Sequence, residues 1–514
     1  MHGAAAGGQR GGGVEFIHYF GDVFTPVNFL ILVFGTIGGL LLGATPGLSP
    51  TMAVALLIPF TFQMEPAASL IMLGAVYTAT VAGGAVSGIL VNIPGAPANI
   101  ATVMDGYPMA RQGRATEALH YCFISSLIGG VIGVILLIFF TPPLAELALR
   151  FGPAELFWIA IFGVTIIASI GGGSVIKGLI AGAVGLWLST IGYNPVLGTE
   201  RFVFSEHLAG GIHVIAALIG LFAIPEVLTL VAGASASRGK VEYADLSNHS
   251  VWRSFAYNIR RVKALTIGSV VGSIVGVIPG AGGQIAGLVA YDQTKKMSRD
   301  PSAFGKGEPD GVIAAESANN AMVGPSLVPL LTLGIPGSPT AAVLLGGLLI
   351  NGLFPGPDLF STHGRVTWTF IDSLLVGQVL MMVFGLMIAR YSVFVTRIPK
   401  HMMAAAVIVL AIFGTYSVQN SVSDVIVMLV LGVSMYFASR IGFSAAPLVL
   451  GLILGQLTET NFLQGRMIAG DEAWSYFFAG PINKIVIALC FVSIAYSIVS
   501  ERKQIRRRRQ EAGA

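Results

Sequence analysis

One carboxylate and two adjacent amides stand together in an otherwise apolar run, with Glu316, Ser317, Asn319 and Asn320 opening a block from 312 to 333. A carboxylate within a bilayer is costly unless it holds a proton or a cation, which makes Glu316 a candidate cation-coupling residue. Neighbouring amides cannot both face lipid cheaply, so at least one of Asn319 and Asn320 is expected to face a cavity or a second helix. Further uncharged donors flank proline-glycine steps: Thr45, Ser49 and Thr51 around Pro46-Gly47, Asn92 and Asn99 around Pro94-Gly95, and Ser338 and Thr340 beside Pro336-Gly337. Neutral donors suit an anion that must be released after binding. With Pro279-Gly280, these residues make up the candidate substrate site.

The elements that must position them are membrane helices. Of the 514 residues, 54% are hydrophobic and only 11% charged, and mean hydropathy is +0.80, whereas a soluble domain carries about 25% charged residues. The lipid bilayer is the solvent for most of this chain. Blocks long enough to cross it are centred in 66–91, 118–140, 153–170, 174–192, 209–233, 312–333, 369–390, 401–418, 422–439, 443–457 and 484–500. Two more apolar stretches, 27–62 and 264–290, are interrupted by Thr45-Pro46-Gly47 and Ile278-Pro279-Gly280, as broken helices or helical hairpins would be. The fold class is therefore an all-α polytopic membrane protein with about 11–12 spans plus broken or hairpin helices.

The interrupted stretches are copies of each other. Gly35, Gly39, Gly43, Pro46 and Gly47 match Gly268, Gly272, Gly276, Pro279 and Gly280 at one offset (268 − 35 = 233; 280 − 47 = 233). Ile93-Pro94-Gly95-Ala96-Pro97 matches Ile335-Pro336-Gly337-Ser338-Pro339 at an offset of 242, the extra residues fitting the polar insertion from Asp292 to Asp310. An internal duplication divides the chain into an N-terminal segment 1–26, a first transmembrane repeat 27–233, a basic cytoplasmic linker 234–263, a second repeat 264–483, and a final span with a basic cytoplasmic tail 484–514. Arg111 and Arg114, the 238–263 cluster, Arg390 to Lys400, Arg440 and the tail from Arg502 to Arg509 are expected in the cytoplasm by the positive-inside rule. If the Pro-Gly stretches return to their starting side, each half holds five spans and the second half is inverted, an architecture common among secondary transporters.

Other chemistries find little support. The net charge of +4 and pI near 9.0 come from basic residues in the gaps between apolar blocks, not from a nucleic-acid-binding face. Cys122 and Cys490 are too few for a disulfide framework. The histidines lack metal-ligand spacing, and His213 is expected to be packed and hydrogen-bonded. Gly280-Ala281-Gly282-Gly283 lacks dinucleotide-fold spacing and no GxxxxGK[ST] phosphate loop occurs, so neither a cofactor nor ATP-driven pumping is indicated. A membrane enzyme needs convergent titratable groups, which Glu316 alone does not supply. Asp105 is expected to be a turn or helix-cap residue in a cytoplasmic loop rather than a ligand. The GxxxG glycines are assigned to helix packing.

The runs GATPGLSP, NIPGAPANIATVMDGYPMARQGRATEAL, GVIPGAGGQIA and ESANNAMVGPSLVPLLTLGIPGSPTAAVLLGGLLINGLFPGP resemble the large subunit of the tripartite tricarboxylate transporters, across nearly the whole chain. The resemblance implies a bacterial inner-membrane permease that works with a small four-span membrane subunit and a periplasmic solute-binding protein. It also implies an Na+ or H+ gradient as the driving force, and tricarboxylates, dicarboxylates or aromatic acids as substrates. The alternatives are a stand-alone organic-anion carrier or a channel. Ser49 stands where the family pattern has glycine.

Overall fold

The structure, a computed structural model, describes residues 17–170, 174–194, 196–234, 249–278, 282–389 and 400–512. Pro279 and Gly280 lie outside the described residues. The first half contains α1 (Pro26–Ala44), α2 (Pro50–Thr61), α3 (Pro66–Val91), α4 (Ile100–Arg111), α5 (Ala115–Ala148), α6 (Pro153–Ile170), α7 (Val175–Ser189) and α8 (Val214–Ala234). A short helix, α9 (Val251–Arg260), leads to the second half: α10 (Val262–Val277), α11 (Gly282–Lys296), α12 (Pro309–Ala321), α13 (Val323–Leu333), α14 (Pro339–Ile350), α15 (Asp358–Ser361), α16 (Gly364–Ala389), α17 (Lys400–Gln419), α18 (Val422–Arg440) and α19 (Ala445–Ala469). Then come α20 (Ala473–Phe478) and α21 (Pro481–Ala512). The chain is an all-α polytopic membrane protein; among the described residues the only sheet is the two-residue pairing of Gly192-Tyr193 with Glu200-Arg201.

Among the described residues, eight helices are long and apolar enough to cross a membrane, and six shorter apolar helices accompany them. Several open on a proline, which needs no partner for a missing N–H and presets the helical φ: Pro26, Pro50, Pro66, Pro309 and Pro339. The block read as one span from 312 to 333 is divided at Met322 into α12 and α13. Pro325 has no N–H to donate there, which weakens the helix ladder at this point.

The glycine rows reveal helix direction. Gly35 meets Ala75, Gly39 meets Ala79, and Gly43 meets Thr80 and Gly84, so α1 and α3 run parallel. Gly268 meets Ala314, Gly272 meets Ala318 and Gly276 meets Met322, so α10 and α12 also run parallel. Since α2 and α11 connect parallel helices, both return toward the starting side, and α1–α2 and α10–α11 are helical hairpins.

The two copies run in opposite directions. Gly129 and Gly133 of α5 meet Ser317 and Ala321 in turn, so α5 is parallel to α12. Yet α3 runs against α5: Ala82 accepts a weak contact from Cys122, while Tyr77 lies beside Ser326, near the point where Gly324 meets Gly133. Helices α3 and α12–α13, equivalent under the duplication, are therefore antiparallel. The same holds for α5 and its equivalent α16, in which Phe370 meets Gly74, Gln378 meets Gly130 and Gly385 meets Phe123. In this arrangement α3, α5, α12–α13 and α16 pack together at the centre of the molecule.

Candidate functional site

Both IPG segments fold back onto the ends of the broken helices. The N–H of Gly95 donates to the Gly84 carbonyl at 3.0 Å, and that of Gly337 to the Ser326 carbonyl at 3.1 Å. A Cβ on Gly95 would stand 2.6 Å from the Gly43 oxygen, and one on Gly337 would stand 2.3 Å from the Gly276 oxygen. Only glycine allows this approach of backbone to backbone. Each IPG loop is thus seated where the first arm of its hairpin ends, and α4 and α14 start beside it.

On the side of the bundle where α4 starts, Glu316 is fully buried. Thr102 donates to Oε1, as do Asn99 Nδ2 and Asn319 Nδ2, each at 3.3 Å; Ser126 Oγ donates to Oε2 at 3.3 Å. Asn320 Nδ2 donates to Ser126 Oγ at 2.8 Å. The amide oxygens of Asn99, Asn319 and Asn320 are buried without a hydrogen-bond partner. That of Asn99 occupies the space left by Gly84, and that of Asn319 lies against Gly283 and Gly287. One carboxylate and three amide oxygens in a water-excluded cluster form an environment in which a small hard cation finds oxygen ligands. The position equivalent to Glu316 in the first half is Gly74 (316 − 242 = 74), so the carboxylate belongs to one half alone.

A second cluster, built only of hydroxyls, lies where α2, α3, α13 and α14 meet. Thr51 and Thr340 are 2.9 Å apart, oxygen to oxygen. Tyr77 bonds Ser338 at 2.7 Å and Ser326 at 3.2 Å, all three side chains being buried. Ser338 is also the N-cap of α14, accepting from the Ala341 N–H at 3.1 Å. Helix α14 therefore presents its positive end beside five hydroxyl groups, a setting that favours an anion.

The remaining candidates divide between the hairpins and structural roles. Thr45 is buried and turns its hydroxyl back to the Leu41 carbonyl at 2.7 Å; Ser49 caps α2 through the Met52 N–H at 3.3 Å. Pro46 and Gly47 form the turn between them, Gly47 at φ +87° against Leu230. Asn92 is exposed and takes the left-handed conformation, φ 58°, that terminates α3. Pro94 and Pro336 stand directly before Gly95 and Gly337 in the two IPG loops. Thr102, Ser126, Tyr77 and Ser326 escaped sequence reasoning. Thr102 lies three residues beyond Asn99 and thus on the same helix face; the others are polar positions in apolar helices whose partners come from the opposite half.

Asp105 is not in a turn. It is fully buried within α4, where Oδ1 accepts the N–H groups of Gly305, Gly307 and Glu308 at 2.8, 2.8 and 2.9 Å, and Oδ2 accepts the Tyr291 hydroxyl at 2.8 Å. Three otherwise unpaired amides at the start of α12 explain why a carboxylate is placed there. Burial and the neighbouring Asp310 push the Glu308 carboxyl above the ordinary range. His213 is hydrogen-bonded, its Nδ1 lying 2.8 Å from Asp424.

Residues 29–450 match the family described as the tripartite tricarboxylate transporter TctA family. The chain belongs to this family. Two proteins of Agrobacterium vitis are similar to this TctA-family chain. One, described as an uncharacterized 52.8 kDa protein in the TAR-I ttuC' 3'region, is 35% identical over 96% of this chain and 97% of its own length. The other, an uncharacterized protein in the TAR-II ttuC' 3'region, is 35% identical over 46% of this chain and 98% of its own length. No solved structure matches the chain.

Proposed function

We propose that this TctA-family protein is the large permease subunit of a tripartite importer of small organic carboxylates, driven by an Na+ or H+ gradient and working by alternating access. In this reading it lies in the bacterial inner membrane with its C-terminus in the cytoplasm, beside a small four-span subunit, and receives substrate from a periplasmic binding protein. The observation that carries the reading is that each of two inverted hairpins meets the segment after the other half's IPG loop, Thr51 at Thr340 and Gly283 at Ala98, with the buried Glu316 beside the second contact. Paired hairpins of opposite direction supply what a carrier needs, two equivalent half-sites that can open to opposite sides. The carboxylate of the substrate binds the hydroxyl cluster and the N-terminal end of α14, and the coupling cation binds at Glu316.

Uptake of radiolabelled citrate and a panel of dicarboxylates tests this, in cells expressing the chain with and without its binding protein, under imposed sodium or proton gradients. Accumulation that requires both the gradient and the binding protein is the expected outcome. Accumulation without the binding protein reduces the reading to a stand-alone carrier, and passive equilibration overturns it in favour of a channel.

A further inference from the structure

The polar side chain that the proposed cycle leaves unused is on α16. Asp372 is fully buried, and both of its carboxyl oxygens lack a hydrogen-bond partner. Its contrast with Glu316, which four side chains hold, is complete. Two turns further along the same helix Gln378 is likewise buried with both amide atoms unpartnered.

No charge compensates Asp372. Helix α16 packs on α1, α3, α5, α15 and the short turn Phe20–Phe24. Helix α1 has no ionisable residue, and α3 has only Tyr77, whose hydroxyl is turned to Ser326 and Ser338. The acidic and histidine side chains of α5, Glu117, His120 and Glu146, lie toward its ends; the neighbours of Tyr121 and Cys122 are Glu117, Tyr257 and Ala82, and the next residue, Phe123, meets Gly385, more than three turns from Asp372. Asp22 of the short turn is already paired with Arg365, at 2.7 Å, and Asp358 of α15 adds only like charge. An ionised carboxylate with neither donor nor counter-ion at membrane depth is prohibitively costly, and such a group takes up a proton instead.

We infer that Asp372 is a proton-binding site, separate from the Glu316 cluster, and that the proton it holds is carried when the two halves move. On one side of the membrane an O–H bond forms as a proton enters from water; on the other the same bond breaks and the proton leaves, with no redox change. The position suits this role because α16 and its inverted equivalent α5 pack against each other and against both hairpin-bearing units, so a movement between the halves changes what surrounds Asp372.

Two measurements on the full-length protein in lipid test the inference. The first is labelling of wild-type protein with dicyclohexylcarbodiimide, which attacks protonated carboxyls in apolar surroundings, read by mass spectrometry of the peptide containing Asp372. Labelling near neutral pH that fades at alkaline pH is expected; an unlabelled Asp372 overturns the site, and this arm needs neither a variant nor a substrate. The second compares Asp372→Asn with wild type in proteoliposomes. One pH unit supports about tenfold accumulation per proton carried, so the variant is expected to lose about tenfold in pH-gradient-driven accumulation while keeping substrate counterflow. An unchanged response to the pH gradient refutes proton carriage. Absence of transport by wild type under every gradient would instead sink the carrier reading, leaving the labelling result to stand by itself.

Discussion

The hydroxyl oxygens of Thr51 and Thr340, 289 residues apart in sequence, are 2.9 Å from each other. One belongs to the returning arm of the first hairpin and the other to the helix after the second IPG segment, so this hydrogen bond, with those of Tyr77 to Ser338 and Ser326, joins the two inverted halves at their polar breaks.

If the halves separate during transport, this contact must open. The double variant Thr51→Cys/Thr340→Cys is expected to cross-link under mild oxidation, and the cross-linked protein should lose carboxylate uptake by about tenfold or more, recovering on reduction. Full activity of the cross-linked form would mean that this junction does not move.

Glu316 should behave as a coupling group. Glu316→Gln keeps the size of the side chain and removes its charge, and is expected to abolish gradient-driven accumulation. Thr102→Val removes one of four donors, a change worth about 1.5–3 kcal/mol for a bond to a charged group, and should weaken the apparent affinity for the coupling ion by roughly tenfold or more. Ion-dependence curves of initial uptake rates check both.

At Gly337 the backbone of Gly276 leaves no room for a side chain, its oxygen standing 2.3 Å from where the methyl group of an alanine would be. Gly337→Ala should lower stability in detergent by on the order of 1–3 kcal/mol. Gly38→Ala, where nothing lies within 4 Å, is the matched control and should melt like wild type.

Asp105→Ala removes the acceptor of three backbone N–H groups; that of buried Gly307 costs about 1–3 kcal/mol when left without one, while those of exposed Gly305 and partly exposed Glu308 can turn to water. The loop between α11 and α12 is then expected to become sensitive to protease in inverted vesicles, with cleavage mapping to residues 297–308. The His213–Asp424 pair joins a part-exposed imidazole to a buried carboxylate. His213→Ala leaves that carboxylate without its partner and should cost about 1–3 kcal/mol in thermal stability.

Sequence reasoning reached the fold because its signals are local or periodic. Apolar blocks of span length, two glycine rows at one offset and repeated IPG segments are all visible along the chain, and together they point to the hairpins. The block from 312 to 333 is harder, because hydropathy does not register the loss of a single N–H at Pro325. The site was legible in part. Glu316, Asn319 and Asn320 stand out as polar residues in an apolar run, but apart from Asn319 the residues that meet Glu316 come from α4, its N-cap Asn99 and α5, some 190 to 217 positions away. Asp105 misleads for a related reason: Asp-Gly-Tyr-Pro has the composition of a turn, and the amides that hold Asp105 in a helix lie about 200 residues downstream. Asp372 carries no local signature beyond being an acid in an apolar helix.

The pairing of Glu316 with Gly74 sets a limit on the symmetry of the machine. Two halves built as inverted copies would, if their sequences were identical, give an outward-facing and an inward-facing form of equal free energy, each the image of the other. A carboxylate present in one copy and replaced by a bare glycine in the other lifts that degeneracy. In the proposed cycle, a cation at Glu316 would then weight one form over the other.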